Sequence, residues 1–313
     1  MTVTLLTGAP DARMAAALTS FEQEFSYPLG DGARFRITHD GDGWRFFNAL
    51  GEAAYVVAHD EARVLGVVGA ALRRVVCPDG STVSMLYLGD LKIASNARGG
   101  RTLLRLARAV QQHFPACTRV AYAVVMDGTA ALPSAYSGRL GIPAFVAVGA
   151  LSVMWIRTGT TVMTTVAPVA NDVGQACFAD LATGRYYMPH GDPTQRSMLP
   201  PRWLMSPDGM ACGRLEDTVC AKRLCSTSGE DMRSAHLSCF AYRTVDDGLR
   251  LLDSALALAA QAGYPMLFTA IEPLDTELLR QHLGERLRSL ASATIFATGV
   301  PRGGRWLIST ADI

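Results

Sequence analysis

The stretch "YLGDLKIASNARGGRTLLRLARAV", Tyr87 to Val110, changes character twice within 24 residues. It opens as an apolar strand, crosses a small basic loop with two glycines, and closes on helical periodicity. In the last part Leu103, Leu106, Ala107, Val110 and then Phe114 share one face. Arg101, Arg105 and Arg108 lie off that face. A helix start leaves its first N–H groups unpaired and carries the positive end of the dipole. Glycines let a ligand approach the main chain, and Arg98 and Arg101 add charge for an anion. Strand, glycine loop and basic helix start together predict a phosphate cradle. The P-loop pattern GxxxxGK[ST] and the dinucleotide pattern GxGxxG are both missing.

Outward from this stretch, the upstream chain reads as an antiparallel meander. A helix over Asp11–Phe25 precedes "AYVVA" (Ala54–Ala58), Arg63–Val76 and "TVSMLYLGDLKI", with "HDEA" and "CPDGS" as turns. Downstream, Arg119–Met126 reads as a buried strand and Thr129–Gly141 as a short helix. The apolar run Ile142–Ile156 reads as a buried strand pair. It is shorter than the roughly 20 residues of a spanning helix and holds Pro143 and Gly149.

The Thr-rich stretch 158–174 is expected to divide the chain into units 1–160 and 161–313. The second unit repeats the order strand, helix, strand, helix, strand. "ACGRLEDTVCAKRLCS" and "ATIFATGVPRGGRWLIST" read as hairpins, and "PPRWLMSPDG" as a loop with an exposed Trp203. Its central helix begins at "VDDGLRLL". Asp246 and Asp247 there would cap the helix themselves and repel a phosphate, so the second copy is expected to be degenerate.

At this point the first half resembles the GNAT acyltransferase superfamily, over about Met1 to Arg157 and more weakly beyond. The family motif R/Q-x-x-G-x-G/A is followed by a run such as R-A-L-L. Here "GRTLL" (Gly100–Leu104) matches its end, with Gly100 on the second glycine, Arg98 at the first and Ser95 at the leading position. "SAYSGRLGIPAF" (Ser134–Phe145) is similar to the family's Tyr-x-x-Leu-Gly-Phe helix ending, with one extra residue. The resemblance implies two GNAT-like lobes, each a mostly antiparallel mixed sheet flanked by helices. It implies acetyl-CoA or another acyl-CoA as co-substrate, its pyrophosphate held by main-chain N–H groups of Ala97, Arg98, Gly99, Gly100, Arg101 and Thr102. The strand Leu91, Lys92, Ile93 would pair with the pantetheine arm, and the thioester would lie where the strands splay. Tyr136 would protonate the leaving thiolate, and Asp90 at the strand end would be the base.

The implied activity is acyl-CoA-dependent N-acylation of a small-molecule or peptide amine. Two other readings stay open: a CoA-binding sensor or scaffold without chemistry, and an aminoacyl transferase using aminoacyl-tRNA. A net charge of +1 weighs against the last and against nucleic-acid partners generally. Seven cysteines without a CxxC pair read as reduced core residues of a cytoplasmic protein, with no metal site. The N-terminus shows no signal-peptide pattern and no membrane partner is expected. His59 reads as a solvated turn residue. His113, His190, His236 and His282 show no triad spacing. Glu272, after "LFTAI", is a further carboxylate if the second half contributes.

Overall fold

A computed structural model describes the chain except residues 31, 61–62, 116–118, 160–165 and 190. Cys117, His190, part of the "HDEA" turn and part of the Thr-rich stretch therefore lie outside the described residues. The first half runs β1 (Thr2–Leu6), α1 (Ala12–Glu22), β2 (Tyr27–Gly30), β3 (Ala33–Thr38), α2 (Gly43–Asn48), β4 (Glu52–His59), β5 (Val64–Val76) and β6 (Thr82–Ile93). It continues with α3 (Thr102–His113), β7 (Ala121–Met126), α4 (Pro133–Tyr136) and β8 (Val146–Arg157). The second half runs β9 (Ala167–Val169), α5 (Asn171–Leu181), β10 (Tyr186–Tyr187), β11 (Arg202–Met205), β12 (Ala211–Glu216) and β13 (Arg223–Ser226). It ends with β14 (Ser234–Tyr242), α6 (Val245–Gln261), β15 (Met266–Ile271), α7 (Thr276–Leu283), β16 (Leu287–Thr298) and β17 (Trp306–Leu307).

The main path of the sheet is β1-β4-β5-β6-β7-β16-β8-β15-β14-β12-β11-β9. The two ends mirror one another. Each has an antiparallel meander leading into one parallel pair, β6–β7 or β14–β15. At the centre the halves interleave: β16 of the second half lies between β7 and β8 of the first, antiparallel to both. The fold is thus mixed α/β, with a mostly antiparallel sheet flanked by helices. A small second sheet, β13-β3-β2, also draws strands from both halves.

On one face, α3 lays Leu106 and Val110 onto Ala54, Val56, Val68 and Leu86. On the other, Phe47, Tyr87, Tyr122 and Trp306 form a row with ring centroids 5.1–5.9 Å apart. Gly69 is required there, because a Cβ would stand 2.0 Å from the Phe47 ring. In the second half α6 buries Leu251, Leu252, Ala255 and Leu256 on β12, β14 and β15. Each fully buried leucine contributes about 1.5–3 kcal/mol.

Four local expectations are corrected. The helix expected over Thr129–Gly141 is a single turn, because Pro133 starts it and Gly138, Leu140 and Gly141 all adopt positive φ. The expected strand pair in Ile142–Ile156 is the one long strand β8, paired with β16 on one edge and with β15 on the other. Neither expected hairpin of the second half exists. β12 and β13 belong to different sheets, while β16 and β17 pair with different partners. Trp203 is not exposed: it lies on β11, 3% accessible, donating to Asn171 Oδ1 at 2.8 Å.

Candidate active site

β6 and β7 pair in parallel only at Leu86–Ala121 and Tyr87–Tyr122. Beyond that point they separate. β6 then carries a bulge: Gly89 faces Gly69 and Lys92 faces Val67, so Asp90 and Leu91 stand opposite the single Val68. Asp90 takes the strain, at φ 55°, a left-handed conformation that Asp tolerates better than most residues. The gap opens into a cavity of about 280 Å³. Its walls include Val68, Asp90 and Leu91 at the bulge, Leu106 and Val110 of α3, and Tyr136 of α4. The structure therefore brings Asp90, Leu91 and Tyr136 to one cavity.

The Asp90 carboxylate is buried and fully engaged. Tyr55 Oη donates to its Oδ2 at 2.5 Å, and Lys92 Nζ lies 2.6 Å from its Oδ1. Behind it, His39 Nδ1 contacts Glu22 Oε1 at 2.6 Å, and Glu22 also accepts from the His39 N–H and the Thr38 hydroxyl. Burial opposes ionisation of Asp90, but Lys92 and His39 outweigh it and hold the carboxyl below its ordinary value. Burial would discharge Lys92, yet Asp90 keeps it charged and raises its pKa. Glu22, His39 and Asp90 place three donor atoms within 4.8 Å of one another. The Lys92 ammonium already supplies a cation against Asp90.

Tyr136 is half-buried, and burial pushes its phenol up to about 12. Its hydroxyl stays protonated at neutral pH and can donate. His236 also lines the cavity, stacked 5.6 Å from Phe268, its Nδ1 2.8 Å from Thr310 Oγ1. Burial and the nearby Lys222 and Arg196 depress it to about 3, so the ring is neutral.

The remaining expected donor-site residues, Lys92, Ile93 and 97–102, are not among those lining this cavity. Lys92 turns into the buried cluster, so only its main chain can meet a ligand at the strand edge. The Ile93 carbonyl accepts from Arg98 Nε at 3.3 Å. Ala97 ends a 3-10 turn, Gly99 has φ 74°, and Arg98, Gly99, Gly100 and Arg101 are exposed. α3 begins at Thr102 with no side-chain cap and no acid in its first turn. The start of α6 differs: Thr244 and Asp247 form a capping box, and Asp246 adds a second carboxylate.

The second half also carries the matching bulge. Cys212 faces Ala241 and Arg214 faces Ser238, so Gly213 stands opposite both Cys239 and Phe240. Cys239 has φ 50°. Here the gap between β14 and β15 is filled by the chain itself. Trp306–Ser309 lies along it, leaving a void of about 10 Å³, and the Cys239 N–H donates to Ser309 Oγ at 2.9 Å. Glu272, at the end of β15, is tied to Arg185 and Arg305 rather than to the first cavity. His59 is not in an open turn; it ends β4, its Nε2 2.9 Å from Thr4 Oγ1.

Lys222, which the sequence reading passed over, also lines the cavity. The available signal was compositional: the chain has two lysines, Lys92 and Lys222, against 27 arginines.

The fold is that of the GNAT-like acyltransferases. Saccharomyces cerevisiae N-myristoyltransferase with bound myristoyl-CoA superposes with a TM-score of 0.64 at 11% identity, covering 95% of this chain and 82% of that one. A GCN5-related N-acetyltransferase from Anabaena variabilis gives 0.52 at 13% identity, covering 94% and 72%. No family model matches the chain, nor does any curated protein sequence. Among the described residues no helix is long and apolar enough to cross a membrane.

Proposed function

We propose that the protein is an acyl-CoA-dependent N-acyltransferase with one donor site, in residues 1–160, and a degenerate copy of it in 161–313. The observation that carries this reading is the contrast between two matching bulged gaps. One is open beneath an uncapped, basic helix start; the other is filled by its own chain beneath a self-capped, acidic one. The N–H groups of 97–102 would hold the pyrophosphate, and the β6 edge at Leu91–Ile93 the pantetheine. At the second bulge an N–H donates to a hydroxyl oxygen, which supports a main-chain N–H at the Asp90 bulge as donor to the thioester oxyanion. Tyr136 would protonate the departing thiolate. The sequence suggests Asp90 as the base. Its ion pair with Lys92 and the Tyr55 hydrogen bond make it a weak one, and they favour a role in holding the bulge.

The apolar walls reaching Leu106, Val110 and Phe145 suit an acyl chain of several carbons better than acetyl alone. The bound donor named for the yeast neighbour is consistent with that. The acceptor is an amine, of a small molecule or a peptide. Calorimetry with CoA, acetyl-CoA and octanoyl-CoA should give 1:1 binding, tightest for octanoyl-CoA. Thiol release with pooled amines should fall roughly a hundred- to ten-thousand-fold in Tyr136→Phe while donor affinity is retained. Absence of CoA binding overturns the reading. Binding without turnover by the parent leaves the sensor.

A further inference from the structure

We propose that Lys222, which the second half contributes to the cavity wall, takes the proton from the acceptor amine; this rests on the acyltransferase reading above.

The chain meets its surface need for cations with arginine and keeps lysine at two positions only. Both are buried, Lys92 at 2% and Lys222 at 4% accessibility, where lysine is seldom found. Arginine cannot be deprotonated in a protein, whereas a buried lysine readily is. Lys92 is committed to Asp90. Lys222 is the lysine left to titrate.

Its backbone is fixed by a tight turn after β12. The Lys222 N–H donates to the Thr218 carbonyl at 2.7 Å, and the Thr218 hydroxyl donates to the Lys222 carbonyl at 2.9 Å. Asp217, next to that turn, accepts from the Met198 and Leu199 N–H groups at 2.8 and 2.9 Å. Nζ donates to the Ile313 main-chain oxygen and lies 4.6 Å from the centroid of the Phe46 ring on α2.

Among the described residues, the titratable side chains in the cavity wall are Tyr27, Tyr87, Asp90, Tyr136, Lys222 and His236, and Ile313, whose main-chain oxygen meets Lys222 Nζ, lines it too. The tyrosines are held protonated by burial. Asp90 is ion-paired, and His236 is too weak a base at about 3. Charges facing Lys222 come from several elements: Arg196, which is paired with Asp312 at 2.8 Å, and Asp90 on β6. Burial and Arg196 depress the ammonium, Asp312 and Asp90 partly restore it, and the group settles at about 7. The Phe46 face also favours the charged form. An amine near neutrality is suited to proton transfer at physiological pH.

The step balances. Neutral Lys222 accepts one proton from the acceptor ammonium and becomes an ammonium itself. The freed amine forms the new C–N bond at the thioester carbon. The C–S bond breaks, Tyr136 gives its proton to sulfur, and the amide nitrogen returns a proton to Tyr136. Lys222 then releases its proton to water.

Two measurements test this. Protein labelled with ¹³C at the lysine ε carbon should show two side-chain signals, assigned with Lys222→Arg. In the complex with CoA, one should stay charged throughout and the Lys222 signal should titrate near pH 7. A Lys222 signal titrating above about 10, where an ordinary lysine does, overturns the proposal. The second is the pH profile of octanoyl-CoA thiol release with pooled amines. Lys222→Arg keeps a cation but cannot take a proton, so turnover at pH 7 should fall roughly a hundredfold or more. CoA affinity should survive, and the limb near pH 7 should disappear. Lys222→Met, apolar and of similar length, should lose the limb likewise and covers the case in which arginine does not fit. An active parent whose variants keep that limb overturns the Lys222 assignment alone. A parent that binds CoA but releases no thiol overturns the acyltransferase reading and this role together.

Discussion

Asp90 sits at φ 55° in a strand, with a carboxylate that touches Tyr55 and Lys92. Both features belong to the bulge in β6, which stays paired with β5 on either side of it while its pairing with β7 has ended. The pair is worth most when complete. Asp90→Asn leaves the Lys92 ammonium buried without a counter-charge and should destabilise the protein by about 3–5 kcal/mol in urea unfolding. Asp90→Asn with Lys92→Met removes both charges and should recover most of that loss. A double variant as unstable as the single one would show that the bulge, not the ion pair, carries the cost. The pH dependence has a defined sign. Folding lowers the Asp90 pKa, so its contribution is present above the ordinary carboxylate value. It is lost as the pH falls from there through the lowered folded value. That acid-side loss should shrink in the double variant.

α3 and α6 each follow the first strand of a parallel pair, β6 or β14, yet their first turns differ chemically. α3 offers open N–H groups, two nearby arginines and an exposed glycine pair. α6 satisfies its own with Thr244 and Asp247. Gly100 has room for a side chain, since an added Cβ would meet only the Ala97 carbonyl oxygen at 3.6 Å. Gly100→Glu should therefore fold normally while placing a carboxylate where the pyrophosphate is proposed to sit. CoA should bind at least about tenfold more weakly, a change of about 1.4 kcal/mol, with an unchanged thermal midpoint. Unaltered CoA affinity by calorimetry would remove the loop from the site.

Across the whole molecule the halves are joined by exchange rather than by contact alone. β16 supplies partners to all six residues of β7, from Ala121 to Met126, and runs beside β8 from Val146 to Ile156. β8 in turn pairs with β15 from Ser152 to Arg157. We propose 1–160 and 161–313 as the two repeats of the chain, but neither closes its own sheet. Expressed alone, 1–160 would present long unpaired edges at β7 and β8, which promote aggregation. It should stay insoluble or melt without cooperativity, and co-expression with 161–313 should recover a soluble 1:1 complex on size-exclusion chromatography. A cooperative melt from 1–160 alone would refute this.

Local chemistry fixed what the sequence could be read for. Apolar runs bounded by turn residues marked the meander and β6, whose central residues are buried on both faces, and helical periodicity marked α3 and α6. The glycine loop with its arginines and the Asp246–Asp247 helix start were legible for the same reason: a helix terminus is satisfied or left open by residues within one turn of it. The single turn at Pro133–Tyr136 was overextended, since positive φ at Leu140 leaves no mark in an otherwise helical pattern. What remained hidden depends on residues far apart in the chain. A strand's composition does not state its partner, so the interleaving of β8 and β16 and the burial of Trp203 could not be read. The bulge at Asp90 is a mismatch between two strands and belongs to neither alone. Lys222 looked like one residue of a hairpin. It became part of the site only because the sheet crosses between the halves and brings the turn after β12 to the gap beside β6.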